Sequence, residues 1–167
     1  EQSRPMVRPV DRVSVAGRAA CVTGGSRGLG RQCADALAAA GAAVIGVARR
    51  EAELADWAAS GAGKRAYIAA DLMDEAGLEA LCDEIVAPFG TPDILVHAAG
   101  VNLRQPADEV TAEGWQQTLW LNLTVPFLLS QKLVPHMKQR GWGRIVNFAS
   151  LQSSRAFPDG IAYGASK

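Results

Sequence analysis

The chain has no excess of charge of either sign: 17 lysines and arginines face 17 aspartates and glutamates, for a formal net charge of +0 over 167 residues. A general electrostatic grip on nucleic acid needs a surplus of cations to displace counterions from phosphates, so nucleic acid is not an expected partner. Long hydrophobic runs are missing as well. The longest nearly uncharged apolar stretch, Ala36 to Ala48, is mostly alanine and glycine between Asp35 and Arg49, too short and too weak to span a bilayer. The first residues carry Arg4, Arg8, Arg12 and two prolines without the apolar centre of a secretory signal, so the cytoplasm is the expected compartment and no membrane partner is expected. Cysteine is scarce. Cys21, Cys33 and Cys82 are odd in number and show no metal-like or redox-like spacing, which predicts reduced, buried thiols rather than a disulfide frame or a zinc site.

What is present suits one soluble globular core. Hydrophobic residues make up 49% and charged residues 20%, too apolar for a disordered chain. After a polar, proline-bearing arm over residues 1–15, apolar and helical patterns alternate to the end. Strands are predicted at Ala19–Thr23, Ala43–Ala48, Arg65–Ala70, Asp93–His97 and Arg144–Ala149. Helices are predicted at Arg31–Ala40, Glu51–Ala59, Glu75–Ala87 and Ala112–Gln139. Turn signals at Gly41, Gly61 to Gly63, Gly90 to Pro92 and Gly141 to Gly143 fall between them. Alternation of this kind predicts an α/β fold, a doubly wound parallel sheet with helices on both faces, over residues 16–167.

The turn after the first strand reads Thr23-Gly24-Gly25-Ser26-Arg27-Gly28-Leu29-Gly30. Glycine lets the backbone turn sharply and approach a pyrophosphate, whose charge is met by the free N–H groups of the following helix. On its own such a turn is weak evidence, and a tight loop without a ligand is the alternative; its place between a first strand and a first helix favours the nucleotide. At the end of the second strand, where an acidic group would bind the ribose of NAD, the chain reads Val47-Ala48-Arg49-Arg50. A guanidinium matches a 2′-phosphate, and Arg27 can add a second cation, so NADP is favoured with NAD as the alternative. The other reading of Arg49 and Arg50 is a solvated surface pair.

Tyr163 and Lys167 stand four apart and share one face if their segment is helical. A neighbouring ammonium favours phenolate, which moves a tyrosine toward exchanging a proton with an alcohol or carbonyl. Ser150 ends the fifth predicted strand, thirteen residues earlier.

With these residues in hand, the chain resembles the short-chain dehydrogenase/reductase family. The matches are Thr23-Gly24-x-x-x-Gly28-x-Gly30, Asp71-Leu72, Gly100 closing the fourth strand, Asn122, Ser150 and Tyr163-x-x-x-Lys167. The resemblance implies a Rossmann-like fold. It also implies Tyr163 as proton donor or acceptor, Ser150 holding the substrate oxygen, Lys167 gripping the nicotinamide ribose and Asn122 holding a relay water. Cofactor contacts are expected at Gly24, Ser26, Arg27, Gly28, Leu29, Gly30, Arg49, Asp71, Leu72, Ala99 and Gly100, with Tyr163 and Lys167. Asp71 would contact the adenine. Pro126 has no N–H, so the carbonyl four residues earlier, that of Asn122, loses its helical partner; the helix is predicted to kink there and offer that carbonyl to the water.

Two departures stand out. Where the family commonly has Asn-Asn-Ala-Gly, this chain has His97-Ala98-Ala99-Gly100, so amide bonds bracing the central strands are lost and His97 is expected to be structural. Family members also continue well beyond the Tyr-Lys pair, so the chain is expected to be the N-terminal part of a longer polypeptide, its sheet cut after the fifth strand. The implied activity is hydride transfer between a nicotinamide and a secondary alcohol or ketone. Phe148 to Ser153 and Arg155 to Pro158 resemble the sugar-acid and polyol branch, such as gluconate 5-dehydrogenases, with 3-oxoacyl-carrier-protein reductase as the alternative. A non-catalytic nucleotide-binding fragment is the reading from another class. The helix around Trp115 to Met137 has apolar residues on more than one face, which makes a homodimer or homotetramer an expected assembly.

Overall fold

The computed structural model describes residues 14–167, so most of the arm expected at residues 1–15 lies outside it. Five strands, β1 (Ala19–Thr23), β2 (Ala43–Ala48), β3 (Arg65–Ala69), β4 (Ile94–His97) and β5 (Arg144–Asn147), form one sheet in the order β3-β2-β1-β4-β5. Every neighbouring pair is parallel. The helices are α1 (Gly28–Ala39), α2 (Glu51–Ala59), α3 (Leu78–Val86), α4 (Ala112–Leu119), α5 (Val125–Arg140) and the short α6 (Ile161–Ala165). The chain builds outward from β1 to β3 and then returns to lay β4 on the other side of β1. That reversal opens a crevice at the carboxyl ends of β1 and β4.

The pleat explains why the central strands are apolar throughout. Ala20 and Val22 of β1, Val44 of β2 and Ile94 and Val96 of β4 join Ala34, Ala38 and Trp57 in a core under α1 and α2. Their neighbours Cys21, Ile45, Val47 and Leu95 point the other way, into a core shared with Ile85 of α3 and Leu129, Leu133 and Met137 of α5. With period-two alternation and helices on both faces, both sides of these strands are apolar up to their last residues, Thr23 and His97 being buried polar groups at the carboxyl ends of β1 and β4. Cys21 and Cys82 are buried in the second of these cores, and burial pushes the Cys21 thiol up to about 12. Cys33 is also free, but half-buried rather than buried as expected. At the amino ends of the strands the Asp93 carboxylate, 1% exposed, accepts from Ala19 N at 3.3 Å and Arg140 Nη1 at 3.1 Å, tying β1, β4 and α5 together.

Several boundaries differ from expectation, each for a local reason. Helix α1 begins at Gly28 rather than Arg31, inside the glycine turn, because tertiary packing overrides the poor helix propensity of glycine. Helix α3 begins at Leu78 rather than Glu75, because the Asp74 carboxylate takes the Gly77 N–H at 3.1 Å and holds that segment as a turn. Strand β5 ends at Asn147 rather than Ala149, and the Phe148 carbonyl accepts from Lys167 Nζ at 2.8 Å instead of extending the ladder. Strands β3 and β4 each lose one terminal residue, Ala70 and Asp93.

The long helix predicted from Ala112 to Gln139 is interrupted where the proline argument placed a break, in a different form. Between α4 and α5 lies a π-helical turn, Trp120–Thr124, in which the Val125 N–H reaches five residues back to the Trp120 carbonyl. Pro126 sits in the first turn of α5, where its missing N–H is tolerated. The widened turn, rather than a simple proline kink, is the break, and it carries Asn122. Pro135, on the exposed side of α5, is the proline inside that helix, and sequence reasoning did not use it.

The glycine turn stitches three strand ends. Gly24 N and Gly25 N both donate to the Val47 carbonyl, at 2.8 and 3.3 Å, and Thr23 Oγ1 accepts from Ala99 N at 3.3 Å. Gly24 has φ +69°, and a Cβ there would meet Ala99 N at 2.8 Å. Gly28 has φ +56° with open space around its missing Cβ. Gly24→Ala therefore combines left-handed strain of about 1–2 kcal/mol with a backbone clash, whereas Gly28→Ala carries the strain alone. The expected outcome is a fall in thermal midpoint for Gly24→Ala at least about twice that for Gly28→Ala, read by calorimetry.

His97 is structural, as expected. It is 4% exposed, its Nε2 lies 3.1 Å from Ser130 Oγ and its Nδ1 has no partner. Burial pulls its pKa down to about 4. The unfolded chain, titrating near 6.5, binds a proton that the folded one refuses, so stability falls as pH drops from about 6.5 toward 4. Between pH 7 and 5 this amounts to about 2 kcal/mol, and His97→Asn should remove that part of the acid sensitivity, measured by urea midpoints at the two pH values.

Candidate active site

A cleft of about 470 Å³ opens at the carboxyl ends of β1, β2, β3 and β4. Its walls contain Gly24, Ser26, Arg27, Gly28, Leu29 and Gly30 from the first turn, Arg49 after β2, Asp71 and Leu72 after β3, and Ala99 and Gly100 after β4. All the cofactor contacts expected from sequence therefore share one cavity, apart from Tyr163 and Lys167. Helix α1 points its first turn at this space with no acidic residue and no side-chain cap there, so its leading N–H groups and positive dipole end are available to an anion. Arg27 and Arg49 form no ion pair among the described residues, whereas Arg50 is taken up by Glu53 at 2.7 Å. Asp71 Oδ1 accepts from Met73 N at 3.0 Å, and the Leu72 carbonyl accepts from Trp120 Nε1 at 2.9 Å, which fastens this loop to the π turn.

Ala48, Arg50, Ala70, Met73, Ala98 and Val101 complete the lining beside the expected residues. Gln117 and Leu121 were missed altogether. They belong to α4 and the π turn, and no motif marks them; only the packing of those elements across the crevice brings them in.

The four residues expected to carry chemistry gather beyond the Gly100 end of the cleft. A Cβ on Gly100 would lie 3.1 Å from Asn122 Oδ1, so glycine there lets the Asn122 amide approach the strand end, with Lys167 Nζ beside it at 3.9 Å. Asn122 is buried. Its Oδ1 accepts from Val101 N at 2.8 Å and its Nδ2 donates to Val101 O at 2.8 Å. This side-chain clamp braces the loop after β4, and Thr23 braces it again through the Ala99 N–H. Lys167 Nζ lies 5.6 Å from the centroid of the Tyr163 ring, and burial lowers its pKa from the ordinary lysine range. Ser150 caps the 3-10 turn Leu151–Ser153, its Oγ accepting from Gln152 N at 3.1 Å. Ser153 accepts from Ser150 N at 3.2 Å and donates to the Lys167 carbonyl at 2.9 Å, so the serine turn is tied to the Lys167 main chain.

The arrangement offers a cleft with an anion-ready helix end and two arginines that form no ion pair among the described residues, with Lys167 beyond its Gly100 end and the Tyr163 ring 5.6 Å from that ammonium. No helix among the described residues is long and apolar enough to cross a membrane. Comparison with known proteins agrees with the fold. The chain is 38% identical over 154 residues to D-threitol dehydrogenase of Mycolicibacterium smegmatis, covering 90% of this chain and 59% of that protein. It is 33% identical over 151 residues to 3-oxoacyl-[acyl-carrier-protein] reductase of Haemophilus influenzae, covering 90% and 62%. A gluconate 5-dehydrogenase from Burkholderia cenocepacia, solved with NADP and tartrate, superimposes with a TM-score of 0.85 at 34% identity, covering 96% of this chain and 64% of that one. The chain thus spans about three fifths of the length of these relatives. The family model for short chain dehydrogenase matches residues 18–167, and with the parallel sheet and its crevice this makes the chain a member of the short-chain dehydrogenase family.

Proposed function

We propose that this protein is an NADP-dependent oxidoreductase acting on a secondary alcohol or ketone of the sugar-acid or polyol type. The observation that carries the reading is the cleft whose cationic mouth, Arg27 and Arg49, lies at an uncapped helix start and whose far end, Gly100, meets Asn122 and Lys167. These residues fit a phosphorylated dinucleotide. Arg49 and Arg27 match a 2′-phosphate, the α1 N-terminus a pyrophosphate, and Asp71 an adenine. When bound, the nicotinamide supplies the hydride.

The chain's own residues supply the proton and the orientation. In ketone reduction the Tyr163 hydroxyl donates its proton to the carbonyl oxygen, and in alcohol oxidation the phenolate takes it back. Ser150 Oγ has no acceptor for its own proton among the described hydrogen bonds, and in this reading it donates to the same oxygen. Lys167 holds the nicotinamide ribose and favours the phenolate through its charge. The Asn122 main-chain carbonyl, in the widened π turn, holds the relay water. The similarity to the Mycolicibacterium threitol enzyme and the Burkholderia gluconate enzyme supports the polyol and sugar-acid class. The Haemophilus relative keeps 3-oxoacyl thioesters as the second substrate class. Leu123 and Phe127, 53% and 61% exposed on the long-helix segment, support a homodimer or homotetramer.

In the full-length protein, NADPH oxidation is measured against keto sugar acids, keto polyols and 3-oxoacyl thioesters. Tyr163→Phe should lower kcat by at least about a thousandfold and leave the NADPH dissociation constant within about threefold. A wild-type protein that binds NADPH and turns over none of the panel would favour the non-catalytic module instead. Arg49→Ala should weaken NADPH binding by about ten- to a hundredfold, the worth of one charge-assisted contact, with little change for NADH. Equal losses for both cofactors would remove the NADP preference.

A further inference from the structure

Ser166 stands beside Lys167, closes α6 and is 6% exposed. Its hydroxyl donates to the Tyr163 carbonyl at 2.7 Å. A serine folded back on the carbonyl three residues earlier is a common local bond and needs no distant partner. Here the same oxygen also accepts from Asn122 Nδ2 at 2.9 Å, across 44 positions of sequence. The single hydroxyl proton is committed to the tyrosine carbonyl, so the lone pair is left for the amide and both bonds have a fixed direction.

That contact completes the Asn122 amide. Oδ1 accepts from Val101 N, and the two Nδ2 hydrogens go to Val101 O and Ser166 Oγ. A planar amide with these three bonds, the one to Ser166 buried and the two to Val101 partly buried, cannot rotate without breaking at least one, and the amide left unpaired would itself be buried. We infer that Ser166 is a positioning residue of the proposed reaction: through Asn122 it locks the π turn and the loop after β4 to the end of the helix that carries Tyr163 and is followed by Lys167. This rests on the reading of Tyr163 as the proton-transfer group. Ser166 touches no reacting atom. Its effect falls on the placement of groups that do, and misplacement costs rate before it costs affinity.

The test is the kinetics of Ser166→Ala in the full-length protein, with NADPH and the best ketone of the panel. The expected result is a kcat about tenfold lower, equivalent to one lost hydrogen bond, with the KM for NADPH within about twofold and with Ser166→Thr, which restores the hydroxyl, recovering most of the rate. Val44→Ala, a core truncation away from the site, supplies the comparison for a loss of stability alone. The inference is overturned if Ser166→Ala keeps the wild-type kcat, or if Val44→Ala loses as much kcat for the same drop in thermal midpoint. Should Ser166→Ala fail to fold, Ser166→Cys, with its weaker donor and acceptor, is read the same way: a reduced kcat with unmoved KM supports the cross-link, an unchanged kcat overturns it. Tyr163→Phe in the same series separates the two ideas. A still active Tyr163→Phe overturns the catalytic reading itself, whereas an inactive one beside a normal Ser166→Ala overturns only the role of Ser166.

Discussion

The close approach of Gly24 to Ala98 and Ala99 is the constraint on which the working end of this sheet depends. Any side chain at position 24 would strike the backbone of the β4 exit, within 3.0 Å of three of its atoms. Without one, the turn after β1 lies directly against the turn after β4, where the Ala99 N–H also reaches Thr23 Oγ1. Gly30 packs in turn against the Gly24 carbonyl so closely that a Cβ there could not fit. That packing aims the first turn of α1 into the cleft. Positive φ at Gly24 alone costs an ordinary residue about 1–2 kcal/mol; the steric contact adds to it, and together they leave glycine as the residue that fits.

The other wall depends on a helix that is not quite an α-helix. A regular helix from Ala112 to Arg140 would commit each carbonyl four residues ahead. The π turn at Trp120–Thr124 adds one residue to a turn, and it does so next to a proline that could not have served the ladder anyway. The break turns Asn122 inward, where its amide holds Val101 and Ser166. The indole N–H of Trp120 holds the loop after β3. One irregular turn therefore links the β3 loop, the β4 loop and α6. These are three segments that share no sheet bonds with one another at this level, and any nucleotide in the cleft would touch the first two.

Much of this was legible in the sequence, and the reasons are specific. The alternation of short apolar runs with helical stretches marked all five strands: the inner three, β2, β1 and β4, are almost wholly apolar because both faces are covered, whereas the edge strands β3 and β5 are partly or wholly exposed and were marked by their short apolar centres. The residues of the glycine turn, Arg49, Asp71, Leu72 and Gly100 lie close to strand ends, so placing the strands placed them too. Gln117 and Leu121 were not legible, since they reach the cleft only because α4 and the π turn pack across it. The start of α1 was misjudged because glycine propensity speaks against a helix that tertiary contacts impose, and the start of α3 because a carboxylate in a turn competes with the helix for Gly77. The proline argument found the break near Asn122 but not its form. A missing N–H says which carbonyl is released; it does not say whether the chain bends or widens to accommodate it.

The two ends of the sheet answer the same electrostatic question in opposite ways. At the amino ends of the strands, the nearly inaccessible Asp93 carboxylate meets Arg140 at 3.1 Å and Arg18 at 3.7 Å, with Ala19 N on its second oxygen. Both arginines remain partly exposed, their side chains 51% and 33% accessible, so the cost of desolvating them is small while the carboxylate is fully served. Such a cluster adds little net stability over apolar packing, yet losing one partner would strand a buried charge, so it fixes the register of β1, β4 and α5. At the carboxyl ends the balance runs the other way: Arg27, Arg49 and the α1 terminus, which has no acid in its first turn, face a cavity whose lining holds one carboxylate, that of Asp71. Among the described residues the chain pairs its charges at one end of the sheet, while at the other the exposed Arg27 and Arg49, which form no ion pair there, stand beside an uncapped helix start, a field that favours an incoming anion. These cations sit at the topological reversal of the strand order, where the backbone already leaves a crevice, and this coincidence is what supports the proposed nucleotide site.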